Sequence, residues 1–249
     1  MKLTFLGTGT STGVPMIGCR CAVCRSTDPH DKRMRSSALV TTDKAAILID
    51  CGPDFRQQAL QHNITRLDAI LLTHEHYDHV GGLDDVRAIP QKLDVFANRR
   101  VMDAIHRVMP YCFGKQHYPG SAYLNLNQLN PYQQFKVKDA DIEALPIIHH
   151  TDILGYKIGH LGYITDCKTM PDATIQSLKG IDTLVLNALR IEPHPTHLSL
   201  SEAISLASEI GARQTFFTHF SHNLGLHAEI EPTLPEGMHL AFDGLTIEF

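Results

Sequence analysis

The chain has 249 residues, a length that α/β and all-β architectures often reach around one large core, so we expect a single domain over residues 1–249. Its formal net charge is −5, and no run of like charge indicates a nucleic-acid arm or a membrane-surface patch. The 16 His residues are the most unusual count, and they indicate metal chemistry because imidazole combines metal ligation with proton transfer near neutral pH.

The amino terminus and the cysteine content predict a cytoplasmic protein. The first residues reach polar and Gly positions too early for the apolar core of a secretory signal. No later stretch has the roughly 18 consecutive apolar residues that a membrane span needs. Six Cys in a core-forming chain without an export signal are expected to stay reduced.

Short β-type runs separated by Gly, Asp and Pro alternate with helical patterns along the chain. In the first half we predict strands at residues 2–6, 37–42, 45–49 and 69–73, and helices at 53–62 and 99–109. The segment 111–131, rich in Gly, Pro, Asn, Gln and Tyr, is predicted as an irregular connection, either a loop over a site or a plain surface loop.

The second half repeats this scheme. We predict strands at residues 142–148, 156–158, 162–165, 183–186 and 215–218, with helices at 171–179 and 199–210. Ser199 is the expected N-cap of the last helix, with Glu202 in its first turn. Two sheet-rich halves with helices between them predict an α/β fold in which two packed sheets are covered by helices, a four-layer αββα sandwich.

One turn carries the strongest chemical signal. An apolar strand runs directly into the sequence Thr-His-Glu-His-Tyr-Asp-His, which places His74, His76, Asp78 and His79 within six residues. In a turn at the end of a strand, the first two imidazoles can point one way while the later pair turns to a neighbouring position. The turn therefore predicts ligands for two metal ions.

Further ligands are expected at the ends of later strands. His149, Asp166 and His219 each follow an apolar run, although His150 competes with His149 for one position. A carboxylate such as that of Asp166 can bridge two cations, bringing them to about 3.5–4 Å apart so that they share a water or hydroxide. We expect this bridging hydroxide to be the nucleophile.

The motif and the order of these residues resemble the metallo-β-lactamase superfamily over essentially the whole chain. In similar phosphodiesterases the ligand His stands six residues before a Gly-Tyr pair, which selects His149, six residues before Gly155. His150 is then a neighbour of the ligands, a substrate-facing group, or only a polar loop residue. The bridging position of the lactamases is typically Cys, and Asp166 in its place resembles the phosphodiesterase and thioesterase branches.

The resemblance also implies roles for two residues outside the ligand set. His197 matches a His that faces the phosphate in related tRNA-processing endonucleases and small-molecule phosphodiesterases, where it stabilises the charged transition state or protonates the leaving oxygen. Together with Asp78, it is our expected catalytic residue. Asp50 resembles the Asp that orients a ligand His without touching the metal.

A second metal site is predicted near the amino terminus. Cys19, Cys21 and Cys24 form a close knuckle typical of structural zinc, and His222 can complete the tetrahedron. This combination resembles the phosphoribosyl cyclic phosphodiesterases of the carbon–phosphorus lyase pathway. A pyrroloquinoline quinone biosynthesis protein of the same fold has a similar knuckle, so the cysteines alone do not settle the reaction.

The isolated cysteines are interpreted differently. Cys51, Cys112 and Cys167 each stand alone in sequence, so we expect them to be small buried apolar residues.

The resulting hypothesis is a dinuclear phosphodiesterase acting on a small cyclic or nucleotide-like phosphodiester. Its cofactors would be two divalent cations, zinc or manganese, plus one structural zinc. The alternatives are a glyoxalase-like thioesterase, a tRNA-processing endonuclease, and a non-hydrolytic cofactor-biosynthesis protein. We expect neither a membrane nor a large nucleic acid as partner, since no inserted basic arm is present, and a homodimer is compatible with the sequence.

Overall fold

The computed structural model describes residues 1–89, 91–116 and 118–249. Within these ranges the first half of the chain forms the strands β1 (Lys2–Gly7), β2 (Ser37–Thr41), β3 (Ala46–Ile49), β4 (Ala69–Leu71), β5 (Leu93–Ala97) and β6 (Leu124–Gln128). The second half forms β7 (Gln134–Val137), β8 (Ala140–Ile148), β9 (Asp152–Ile158), β10 (Leu161–Ile164), β11 (Thr183–Asn187), β12 (Gln214–Thr218), β13 (Met238–Leu240) and β14 (Thr246–Glu248).

The α-helices in the same ranges are α1 (Ala22–Arg25), α2 (Phe55–Gln61), α3 (Tyr77–Val80), α4 (Arg99–Val108), α5 (Asp172–Leu178), α6 (Leu200–Ile210) and α7 (His227–Ile230). Ser199 caps α6 as predicted, in a capping box with Glu202, and Gly211 ends the helix in the left-handed region with φ 68°. No helix of the described chain is long and apolar enough to cross a membrane.

Each of the two sheets has seven strands. The first has the order β14-β1-β2-β3-β4-β5-β6 and the second the order β13-β12-β11-β10-β9-β8-β7. Both sheets are mixed: β3 to β6 are parallel in the first, and β10 to β13 are parallel in the second. The carboxyl ends of several parallel strands therefore meet at one edge of each sheet, where ligand sites of such sheets form.

Three apolar clusters explain the layers. In β3, Ile47 and Ile49 pack between the sheets, whereas Leu48 faces outward, as the two-residue period of a strand requires. The outer face of the first sheet packs on α2 and α4, and that of the second sheet packs on α5 and α6. This confirms the four-layer αββα prediction.

The predicted elements are all present, with ends shifted by at most two residues except in β9, which begins four residues before its predicted start, and one prediction was wrong in part. The segment 111–131 is not irregular throughout, because β6 occupies Leu124–Gln128 and pairs in parallel with β5. Its Leu-Asn-Leu-Asn-Gln sequence alternates apolar and polar residues, as befits the exposed edge of a sheet. Residue 117 of that segment lies outside the described residues.

Candidate active site

The candidate site lies where strands from both sheets end. Asp50 directly follows β3, the His-rich turn follows β4, and β3 and β4 run in parallel. In the second sheet, Asp166 comes just after β10 and His219 directly after β12, both of which run parallel to β11. The sheet topology thus brings together residues that are far apart in sequence.

Three of these residues share an unusual backbone conformation. Asp50, Asp166 and His219 have φ values of 59°, 54° and 61°, in the left-handed region that residues other than Gly seldom adopt. Each turns the chain sharply at the end of a strand. Such conformations cost free energy and persist where the surrounding structure requires them, often at functional sites.

The His-rich turn is held against the end of β3 by its backbone. The amide of Cys51 donates to the carbonyl of His79 at 2.8 Å, and the amide of Gly82 donates to the carbonyl of Cys51 at 2.8 Å. A Cβ at Gly52 would collide with the carbonyl oxygen of Asp78. Only Gly permits this close approach, which fixes Asp78 at the start of the short helix α3.

The Asp166 carboxylate lies at the centre of the cluster, between two sets of imidazoles. Its Oδ2 is 3.3 Å from Nε2 of His79 and 3.2 Å from Nε2 of His219, while its Oδ1 is 4.0 Å from Nε2 of His74. The Asp78 Oδ2 is 3.2 Å from the same nitrogen of His79. Asp166 therefore presents one oxygen to each set, as a bridging carboxylate would.

The donor atoms fit divalent cations. His74, His76 and His149 form one group whose ligand atoms lie within 4.8 Å of one another, and Asp78, His79 and His219 form a second. Within the described chain, Nε2 of His79 and both ring nitrogens of His219 are buried without a hydrogen-bond partner. Buried polar atoms are rarely left unpaired, and imidazole nitrogen with carboxylate oxygen is a donor set that zinc and manganese accept.

The electrostatics of the site also favour bound cations. Burial alone would raise the pKa of Asp166, but His219 and His79 outweigh it and lower the pKa below its usual range. Burial would likewise lower the pKa of His79, yet Asp50 and Asp78 raise it well above its usual range. The buried carboxylates thus stabilise positive charge at the centre of the cluster.

Two hydrogen bonds orient the imidazoles from outside the cluster. Asp50 Oδ2 accepts from His79 Nδ1 at 2.6 Å and from Thr73 Oγ1 at 2.8 Å. On the other side, the carbonyl oxygen of Thr196 accepts from His149 Nδ1 at 2.7 Å. In both His residues the remaining nitrogen, Nε2, is left for the centre of the site.

His197 lies beside the predicted ligands. Its ring centroid is 4.5 Å from that of His149, and its Nδ1 is 3.6 Å from Oδ1 of Asp166. Burial lowers its pKa to about 3, so its imidazole is neutral near neutral pH. Position alone is compatible with either a substrate-facing group or a ligand, because His149, Asp166 and His197 also converge as a donor group.

His150 occupies the outer edge of the cluster. It is exposed and stacks on His76 with ring centroids 5.0 Å apart and an angle of 6° between the rings. Among the described residues it joins none of the converging donor groups, which favours the selection of His149 as the ligand.

The four residues predicted for the second metal site also lie close together. The sulfur atoms of Cys19 and Cys21 lie 3.3 and 3.4 Å from Nδ1 of His222, and all four donor atoms including Cys24 lie within 4.8 Å of one another. Hydrogen bonds from the Cys24 amide and from His222 lower the pKa of Cys21 to about 6. A thiolate is therefore accessible near neutral pH, as zinc binding needs.

The three isolated cysteines are buried as predicted. Cys51 and Cys112 belong to the apolar cluster outside the first sheet, and Cys167 belongs to the one outside the second. Burial raises the pKa of all three thiols, which makes them unreactive.

Sequence reasoning missed two residues that support the site. Thr73 donates through Oγ1 to Asp50 and lies 2.9 Å from Nδ1 of His74. Its position directly before the first His was a usable signal. The role of the Thr196 carbonyl could not be predicted from sequence, because a residue of any type supplies a backbone carbonyl.

Comparisons with known proteins agree with this geometry. The sequence model described as "Beta-lactamase superfamily domain" matches residues 45–220. The crystal structure of a "new diphosphatase from the PhnP family" superimposes with a TM-score of 0.93 at 42% identity, covering 100% of this chain and 96% of that one. Zn²⁺-bound PqqB from Methylobacterium extorquens superimposes with a TM-score of 0.82 at 20% identity over the full length of both chains, a likeness of fold alone.

One curated relative is named for a different activity. An "octanoyltransferase" of Porphyromonas gingivalis is 47% identical over 250 residues, which cover 98% of this chain and 51% of that protein. The chain thus spans about half the length of this curated relative, and the rest of that protein lies outside the match.

Proposed function

Because the chain belongs to the metallo-β-lactamase superfamily, as a hydrolase-fold relative of the PhnP family, we propose that it is a dinuclear metal-dependent phosphodiesterase acting on small molecules. The observation that carries the proposal is the Asp166 carboxylate, which presents one oxygen to His74 and the other to His79 and His219. A purely structural site would not need donors for two adjacent cations.

In this proposal the cations would be held by His74, His76, Asp78, His79, His149, Asp166 and His219. Two divalent cations bound there would act as Lewis acids and lower the pKa of a bound water. Asp50 would keep His79 in the tautomer that turns Nε2 inward, and the Thr196 carbonyl would do the same for His149. Cys19, Cys21, Cys24 and His222 would hold a separate structural zinc.

His197 would contact the phosphate. Its ring lies beside Asp166 and His149, and 12% of its side chain is exposed to solvent. A hydrogen bond from the imidazole would stabilise charge that develops on the phosphate oxygens, an effect worth about 10²–10⁴-fold in rate for a well-positioned group. The likeness to a PhnP-family diphosphatase supports a phosphate substrate.

A thioesterase is the second candidate, favoured by the octanoyltransferase name of the Porphyromonas gingivalis relative. A substrate panel separates the two. The protein would be stripped with a chelator, reloaded with zinc or manganese, and assayed on bis(4-nitrophenyl) phosphate, on 2′,3′-cyclic AMP and on octanoyl thioesters. We expect metal-dependent cleavage of the phosphodiesters. Metal-dependent cleavage of the thioester alone would contradict the phosphodiesterase proposal and support a thioesterase.

A further inference from the structure

Three of the candidate imidazole ligands are oriented by a hydrogen bond that their Nδ1 donates to a group outside the metal positions. In His79 the acceptor is a carboxylate, and in His149 it is a backbone carbonyl. His74 Nδ1 donates to Thr73 Oγ1 at 2.9 Å, since that hydroxyl gives its own hydrogen to a neighbouring carboxylate. Such bonds fix the orientation of a ring before a cation binds to it.

His76 has no hydrogen bond of this kind. Its Nδ1 lies 3.0 Å from Nε2 of His74, a nitrogen of the same donor group, and within the described ranges its ring makes no hydrogen bond to any other residue. His219 also lacks a partner but is only 1% exposed, so packing holds it, whereas His76 is half-buried. A ring that is free to rotate loses that freedom when a cation binds, which weakens binding.

The ring that covers one face of His76 belongs to His150. The two rings are nearly parallel, with centroids 5.0 Å apart and an angle of 6° between their planes. The ring of His150 also meets that of His149, with centroids 4.6 Å apart and an angle of 78°. His150 therefore contacts two candidate ligands of the same donor group.

His150 stands at the tip of the tight hairpin between β8 and β9. The two strands pair up to the residues on either side of the turn, and the amide of His149 donates to the carbonyl of Thr151 at 3.0 Å. The amide of Leu154, in β9, donates to the carbonyl of Thr73 at 3.0 Å, which joins this hairpin of the second sheet to the start of the His-rich turn. The backbone that carries His150 is thus fixed relative to that turn.

We propose that His150 is a positioning residue for the cation held by His74, His76 and His149, because its stacked ring fixes the imidazole of His76 before the cation binds. The inference rests on the proposed two-cation site. Parallel aromatic rings attract each other when they are offset, and a flat neighbour on one face restricts the rotamers open to His76. The role needs the ring of His150 and neither of its nitrogens.

Three substitutions separate the ring from its nitrogens. His150→Phe keeps a flat ring without nitrogen, His150→Gln keeps a polar group without a ring, and His150→Ala keeps neither. Mn²⁺ would be titrated into protein whose catalytic cations have been removed with a chelator. The zinc content of the cysteine knuckle would be measured in each sample, since thiolates select zinc over manganese.

The expected pattern follows from the stack. All variants should still bind two Mn²⁺ ions at saturation. In the Ala and Gln variants the Kd of one of these ions should rise about three- to tenfold, within the range that one aromatic contact supports. In His150→Phe it should stay within about twofold of the wild type.

Hydrolysis of bis(4-nitrophenyl) phosphate gives an independent readout. Because His150 acts through the cation, the Ala and Gln variants should need more Mn²⁺ for half-maximal activity but show the wild-type KM once Mn²⁺ is saturating. His106→Ala is the matched control, since it also removes an exposed imidazole from an aromatic contact, with Phe113 at 4.3 Å, but at the carboxyl end of α4. It should change neither the Kd nor the KM.

Three results would overturn the inference. Wild-type Mn²⁺ affinity in both the Ala and Gln variants would show that His76 needs no stacked partner. An equal loss of affinity in the Phe and Ala variants would assign the role to a ring nitrogen. A raised KM at saturating Mn²⁺ with unchanged affinity would make His150 a substrate contact. If the expected affinities are found but no phosphodiester is cleaved, the proposed function fails and the positioning role of His150 stands.

Discussion

Oδ2 of Asp50 lies 2.6 Å from Nδ1 of His79, and both side chains are completely buried. The same carboxylate accepts two further hydrogen bonds from Thr73, through its amide and its hydroxyl, each at 2.8 Å. Asp50 thus fixes both the imidazole and the start of the turn that carries the other candidate ligands. The site is organised by a residue that itself contacts no candidate metal position.

Asp50→Asn tests this orientation. The substitution keeps the shape but removes the charge and leaves an amide group facing either His79 or Thr73, both of which donate to the carboxylate. We expect metal affinity to fall about 10–100-fold, measured by competition with a zinc chelator. Asp68→Asn is a matched control, because Asp68 accepts from the Ala46 amide at the opposite end of β3. Equal affinities in the Asp50 variant and the wild type would refute the orienting role.

Cys24→Ser tests the predicted structural zinc. Removing one of four protein ligands should release close to one zinc per chain and lower the Tm, because structural-metal binding contributes directly to folding. For a chain of this size each kcal/mol of lost stability lowers the Tm by roughly 2–4 °C. Activity should fall less than in Asp78→Ala, because the catalytic ligands are untouched.

Cys112→Ser is the control for that measurement. Cys112 is buried in an apolar cluster and should lose stability without losing zinc. An unchanged zinc content in Cys24→Ser would show that the knuckle cysteines are ordinary thiols.

His197→Ala distinguishes a phosphate-facing residue from a ligand. We expect kcat to fall about 10²–10⁴-fold with unchanged metal stoichiometry. His160→Ala, in the exposed turn between β9 and β10, should leave both quantities unaltered. Loss of a metal ion from the His197 variant would instead make His197 part of the coordination sphere.

Much of the fold was predictable because its strands carry strong local patterns. In β3 and β4, continuous apolar runs end in Asp50 and in Thr73-His74, so both the strand and its functional end were visible in sequence. The edge strand β6 was missed because its polar, half-exposed residues resemble a loop when their pairing with β5 is unknown.

The candidate site was predictable where side-chain chemistry marked it, and not where geometry alone created it. Four residues of one turn and three residues at strand ends formed a recognisable set of donors. The left-handed backbone of Asp50, Asp166 and His219 could not be foreseen, because Asp and His adopt this conformation only occasionally, although more often than most residues other than Gly.

The most direct test of the phosphodiesterase proposal is the activity of Asp78→Ala on bis(4-nitrophenyl) phosphate, measured together with its metal content. Oδ2 of Asp78 lies 3.2 Å from Nε2 of His79 and 3.7 Å from Nε2 of His219. Loss of this carboxylate should therefore deplete one cation and lower kcat/KM by at least about 100-fold. Asp84→Ala removes a partly exposed carboxylate that pairs with Arg87 shortly after the same turn, and it should retain activity. Full activity and full metal content in Asp78→Ala would contradict the account.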